Sequence, residues 1–167
     1  MRRIGVVTTS RADYGLLLPV LKRIRASRQL ELLLFVSGTH LSGRHGMTVR
    51  EIEADGFAFG RYQIFHRLDD AGRPVVSLAS LKEPGTFDPA AMPGAQFRGI
   101  ALFAVMPGPL PGVRAFDELI VTARALAATL GGQLQDERGG PLSLARIGHL
   151  REEVAEFERA RGVAADG

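Results

Sequence analysis

Residues 100–106, IALFAVM, place the hardest demand on any fold this chain adopts. Read as a strand, with side chains alternating between faces, they put Ile100, Leu102, Ala104 and Met106 on one side and Ala101, Phe103 and Val105 on the other. The run is too short to span a membrane, which takes about 20 apolar residues, and too apolar for a strand with one wet face. Both sides therefore need cover. Helices can supply one side; the other is met by a further part of the chain or is a patch that receives a partner.

At 167 residues and 46% hydrophobic, the chain has material for one compact domain with a short appendage, not two full domains. Cysteine is absent, which excludes a disulfide framework and thiolate chemistry and suits a reducing compartment. The basic start MRRIGVV is interrupted by Thr8, Thr9, Ser10, Arg11 and Asp13, so it does not read as a signal peptide. No stretch is long enough to cross a bilayer, and the chain reads as cytoplasmic. Net charge is +3, but residues 1–28 hold seven of the 21 basic residues and one acid, leaving 14 basic against 17 acidic residues in the remainder. The basic residues of the head lack interleaved aromatics, which favours a solvated helix face over a nucleic-acid surface.

Along the chain, RIGVVTTS followed by DYGLLLPVLKRIRAS reads as one βα unit, with Leu17, Val20, Leu21 and Ile24 at helical spacing. LELLLFVSG, apolar at nearly every position, is a strand buried on both faces. MTVREIEADG is a helix with Val49 and Ile52 on one side and Gly56 as its stop. YQIFHRL and RPVVSLASL, joined by DDAGRP, read as an antiparallel hairpin, and GIALFAVM as a third strand of that set. The helix VRAFDELIVTARALAATLGG carries an apolar stripe of Phe116, Leu119, Ile120, Ala123, Leu126, Ala127 and Leu130 and ends at the double glycine. QLQDER suits a short edge strand, and a last helix has Ser143 as N-cap and Ile147, Leu150, Val154 and Phe157 on one side. The fold class is α+β: a largely antiparallel sheet with helices packed on one face, plus an N-terminal βα unit. Three segments follow: a head at 1–28, a body at 29–161 and a disordered tail at 162–167.

Few residues point to chemistry. GTHLSGRHG has the glycine spacing of a phosphate loop, but Arg44 and His45 stand where Lys and Ser or Thr are needed. His40 and His45 match no common metal spacing, so no metal site is expected. His66 alternates with Ile64 and Leu68 and reads as a structural or surface histidine, and the acids of the last helix as its polar face. Arg11, between a strand end and a helix start, is placed to meet a phosphate.

RRIGVVTTSRADYGLLLPVLKRI, VSGTHLS and GMTVREIEADGF together resemble the start of hydrolysing UDP-N-acetylglucosamine 2-epimerases, over residues 1 to about 57. That resemblance implies a Rossmann-like half in which Arg11 contacts the UDP moiety. The family's second half and its acid–base residues have no counterpart in the sequence. From about residue 57 to 161, FAFGRYQIFHRLDDAGRPVVSLASLKEPGTFDPAAMPG, ALFAVMPGP, AFDELIVTARALAATLGGQLQDER and PLSLARIGHLREEVAEFERAR resemble the C-terminal domain of the cell-division protein ZipA. The turn-rich SLKEPGTFDPAAMPG is the most telling of these, because that family leaves a strand through such a segment, makes a short helical turn and re-enters the sheet at a Pro-Gly step.

The ZipA resemblance implies a binding module, not an enzyme, that captures the C-terminal peptide of FtsZ on an apolar sheet face, with no cofactor and no nucleic acid. It implies Tyr62, Ile64, Leu81, Ala101 and Phe103 as peptide-binding positions, with Glu83 near the groove. Tyr62 and Leu81 replace frequent methionines and are stiffer. The membrane helix and long linker of that family are not found in this sequence, and the domain is expected to be a monomer. The alternative is a UDP-sugar-binding epimerase fragment that uses Arg11. A third reading is a structural domain whose second sheet face is buried by residues 1–28.

Overall fold

The structure, a computed structural model, describes residues 30–41, 49–80, 83–92, 97–134 and 141–165. In chain order the elements are β1 (Leu30–Leu41), α1 (Val49–Ala54), β2 (Ala58–Phe59), β3 (Phe65–Leu68), β4 (Pro74–Ser80), β5 (Phe97–Met106), α2 (Gly112–Leu130), β6 (Gln133–Leu134) and α3 (Leu144–Ala165). The strands form one sheet in the order β2-β3-β4-β5-β1-β6, and every pairing is antiparallel.

The βα head at 1–28, with Arg11, lies outside the described residues. The next strand decides against a Rossmann-like continuation. β1 runs antiparallel to β5 on one side, with Leu30 opposite Met106 and Val36 opposite Ile100, and antiparallel to β6 on the other. A Rossmann-like half needs parallel neighbours joined by crossover helices. Residues 30–41 thus belong to the antiparallel body. α3 extends to Ala165, so helix continues past position 161, where the sequence places the end of the domain.

The helices gather on one face. Ile52 of α1, Phe116 and Leu119 of α2, and Leu150 and Val154 of α3 share a single buried cluster with Leu78 of β4 and Ile100, Leu102, Ala104 and Met106 of β5. All seven residues of the α2 stripe are buried. α2 ends where Gly131 takes a left-handed conformation, φ 64°, and its N–H reaches the Ala127 and Ala128 carbonyls. Ser143 caps α3, its Oγ accepting from the Arg146 N–H at 3.1 Å.

The turn-rich connection is a structural plug. Phe87 and Met92 are both buried in the helix-side cluster. The Phe87 ring meets Phe65 edge-on at 5.2 Å, and Phe65 meets Phe59 in the same way at 5.3 Å. The Ala91 and Met92 N–H groups both reach the Asp88 carbonyl at 3.0 Å, which makes a single helical turn. In the β3–β4 hairpin, Asp69 accepts from the Ala71 and Arg73 N–H groups and pairs with the Arg73 guanidinium. The Arg73 amide, with help from its side chain, holds this carboxyl below its usual range.

Two helices are tied by a cap supplied across the interface. Pro111 offers α2 no side-chain cap, and the Glu158 carboxylate of α3 accepts from the Gly112 N–H and, at 3.2 Å, from the Val113 N–H. Negative charge at a helix start is favourable. The approach needs a glycine, because a Cβ on residue 112 would lie 2.6 Å from Met106 Sδ and 2.9 Å from Glu158 Cδ. Arg151 adds a two-pronged pair to Asp117, at 2.8 and 3.0 Å. Glu158→Ala is expected to lower stability by about 1–2 kcal/mol, whereas the exposed Glu156→Ala stays within about 0.5 kcal/mol. Urea denaturation of both variants checks this.

Candidate binding face

The face of the sheet away from the helices follows from alternation. On β4, Val76 and Leu78 enter the helix-side cluster, so Ser77 and Ala79 point the other way. On β5, Ala101 and Phe103 do the same. The register aligns these residues in two rows. One runs Ala58, His66, Ser77, Phe103 and the Leu33 position; the other runs Ala79, Ala101 and the Phe35 position.

Ile64 extends the second row. Its backbone is extended, φ −129° and ψ 169°, and it stands two residues before His66, on the same face. Small side chains at Ala79 and Ala101 make the middle of the row a low floor beside the larger Ile64 and Phe103.

Polar geometry fixes the rim. His66 is buried, with Nδ1 2.8 Å from Ser77 Oγ and Nε2 3.0 Å from the Arg61 carbonyl oxygen. A carbonyl only accepts, so Nε2 carries the proton it donates. In the neutral ring Nδ1 then accepts from the Ser77 hydroxyl. Both ring nitrogens are engaged in structure, which is the structural role that the alternation suggests for His66. What the histidine holds is a strained turn. Residues 61–63, which the sequence places at the start of a strand, form a 3₁₀ turn with Tyr62 at φ 60° and Gln63 at φ 57°. Left-handed backbone in such residues costs on the order of 1 kcal/mol each. The Gly60 N–H to the Ile64 carbonyl, at 3.0 Å, and the Phe87 N–H to the Gln63 carbonyl, at 2.8 Å, hold the turn from either side.

Of the residues expected at the site, Ile64, Ala101 and Phe103 lie on this one face. Tyr62 stands in the turn leading into it, 68% exposed. Leu81 lies outside the described residues, and Glu83 is exposed in the connection after β4. The His66–Ser77 pair and the Ala79 floor were not singled out as site features from sequence; the alternation in SLAS was the available signal. No group of three His, Asp or Glu side chains able to hold a metal is found among the described residues.

Comparison with known proteins bears on this face. The model of the family described as "ZipA, C-terminal FtsZ-binding domain" matches residues 33–153. The chain belongs to this family. It is 36% identical over 114 residues to the cell division protein ZipA of Ectopseudomonas mendocina, covering 66% of this chain and 42% of that protein. With ZipA of Marinobacter nauticus it shares 40% over 110 residues, 64% of this chain and 32% of the relative. With ZipA of Xylella fastidiosa it shares 31% over 139 residues, 79% and 56%. The chain thus spans about a third to just over half of these relatives. The match takes in residues 33–57, part of the stretch that resembles an epimerase, and assigns them to the ZipA domain. No described helix is long and apolar enough to cross a membrane.

His66→Ala removes the donor to Arg61 and one partner of a buried hydroxyl. It is expected to cost about 2 kcal/mol. Denaturation measures that loss, and faster amide exchange in residues 61–64 locates it.

Proposed function

We propose that this chain is a non-enzymatic module that binds the C-terminal peptide of FtsZ on the helix-free sheet face and so supports Z-ring assembly. The observation that carries the reading is a second apolar set, Ile64, Ala79, Ala101 and Phe103, which stands outside the helix-side cluster in a member of the ZipA family. Ala79 and Ala101 give a partner side chain a low floor, and Phe103 offers a large apolar area with few rotamers to freeze. Tyr62, exposed and held by a turn locked to His66, forms one rim, and the family resemblance implies Leu81 as a further contact. The exposed Glu83 disfavours acidic groups on the peptide beside it. The protein works as a monomer on the cytoplasmic side of the membrane and needs no cofactor.

A UDP-sugar enzyme is the poorer reading. It rests on Arg11 alone, and proton transfer at a sugar carbon needs a positioned acid and base. His66, on the proposed face, has both nitrogens committed to Ser77 and Arg61.

The test is titration of a labelled FtsZ C-terminal peptide, with UDP as competitor. Saturable binding that UDP does not displace is expected. Phe103→Ala should weaken it about thirtyfold, which corresponds to about 2 kcal/mol. Val121→Ala, exposed on α2 at the opposite side, should leave it unchanged. A parent chain with no saturable peptide binding removes the assignment.

A further inference from the structure

Two successive residues of the turn before β3 stand in left-handed backbone without being glycine or asparagine: Tyr62 at φ 60° and Gln63 at φ 57°. Glycine takes such backbone at no steric cost, so reversing the chain between β2 and β3 does not by itself call for a tyrosine there. What the tyrosine adds is a side chain, and that side chain is 68% exposed. Strained backbone of this kind gathers at ligand clamps and switch regions, and it persists only where the surroundings over-determine it.

Those surroundings come from separate parts of the chain. β3 supplies His66, whose Nε2–H donates to the Arg61 carbonyl at 3.0 Å, and β4 supplies Ser77, whose hydroxyl engages the other ring nitrogen at 2.8 Å. The connection after β4 supplies the Phe87 N–H, which reaches the Gln63 carbonyl at 2.8 Å. The imidazole has little slack. It is 8% exposed, and its Cδ2 lies close to Gly60, where an added Cβ would come within 3.3 Å of it. Phe87 is also a member of the helix-side cluster and His66 is not, so His66 is the hold that a side-chain substitution removes without opening the core.

We infer that His66, oriented by Ser77, is a positioning residue for partner binding: by holding the Arg61 carbonyl it keeps the turn closed and presents Tyr62, and it acts on the partner through Tyr62 alone. The inference rests on the peptide-binding reading of this face. His66 is buried with both nitrogens engaged inside the chain, so it offers the peptide no hydrogen bond of its own. Its substitution changes the fraction of chains in which Tyr62 is in place before the peptide arrives. With the turn closed in only about one chain in ten, the Tyr62 contribution to affinity falls about tenfold. The loss cannot exceed what Tyr62 itself contributes.

The test is a double-mutant cycle in the full chain, read by titration of a labelled FtsZ C-terminal peptide. Tyr62→Ala and His66→Ala should each weaken binding about tenfold, and the double variant should match Tyr62→Ala alone to within about twofold. His66→Gln, whose side-chain amide can donate to the Arg61 carbonyl in place of Nε2, should recover most of the affinity. Ser77→Ala, a milder change that frees the ring without removing it, should weaken binding about threefold and add nothing to Tyr62→Ala; it carries the test if His66→Ala does not fold. Circular dichroism verifies the fold of each variant, and amide exchange in residues 61–64 follows the turn. Losses that multiply in the double variant overturn the inference while leaving the peptide site standing, as does parental affinity in His66→Ala with the turn open. A parent chain with no saturable binding sinks the peptide reading and this inference with it.

Discussion

β5 has to be buried twice. Ile100, Leu102, Ala104 and Met106 meet the helices, and Ala101 and Phe103 are buried on the reverse side. Most antiparallel sheets leave one face to water, and a strand that refuses that arrangement divides the protein into two problems of different kinds. The helix-side problem is solved by closely interlocked residues: Gly112 admits the Glu158 cap, Arg151 grips Asp117, and Phe87 and Met92 fill the side of the core. The reverse side has a low alanine floor, Ala79 and Ala101, beside the Phe103 ring.

The rim of the face is held in place by hydrogen bonds. Tyr62 is presented by a turn whose backbone is strained at two successive residues, and strain of that kind persists only when the surroundings over-determine it. His66, Gly60 and the Phe87 amide provide that determination. A stiff tyrosine on a fixed turn has little orientational freedom left to lose on binding, which favours one partner geometry over many. The ZipA family membership points to a binding function, and the apolar sheet face is where the proposal places it.

Much of this was legible in the sequence because burial leaves periodic traces. The seven-residue stripe of α2, the double-glycine stop, Ser143 at the start of α3 and the antiparallel β3–β4 hairpin all follow from spacing and turn chemistry, and the edge strand at Gln133–Leu134 follows from the run after the glycines. The direction of β1 was not legible. LELLLFV is equally apolar in a parallel or an antiparallel sheet, and pairing direction is set by distant partners. Nor could the turn at 61–63 be read, since Tyr62 and Gln63 carry strand-compatible side chains and adopt left-handed backbone only because His66 and the connection after β4 hold them. Of the site, the face of Phe103 and Ala101 could be read from alternation, which leaves open whether that face is covered or receives a partner, because cover depends on contacts between parts of the chain far apart in sequence.

The account turns on which face of the sheet takes the partner. Backbone amide resonances of the chain, followed by NMR during titration with the FtsZ C-terminal peptide, map that contact directly. Concentrated shifts at Ile64, Ser77–Ser80 and Ile100–Val105 are the predicted result, with little change around Val121 and Leu144 on the exposed helix surfaces. Shifts centred on α2 and α3, with the β4 and β5 amides unmoved at saturation, would contradict it.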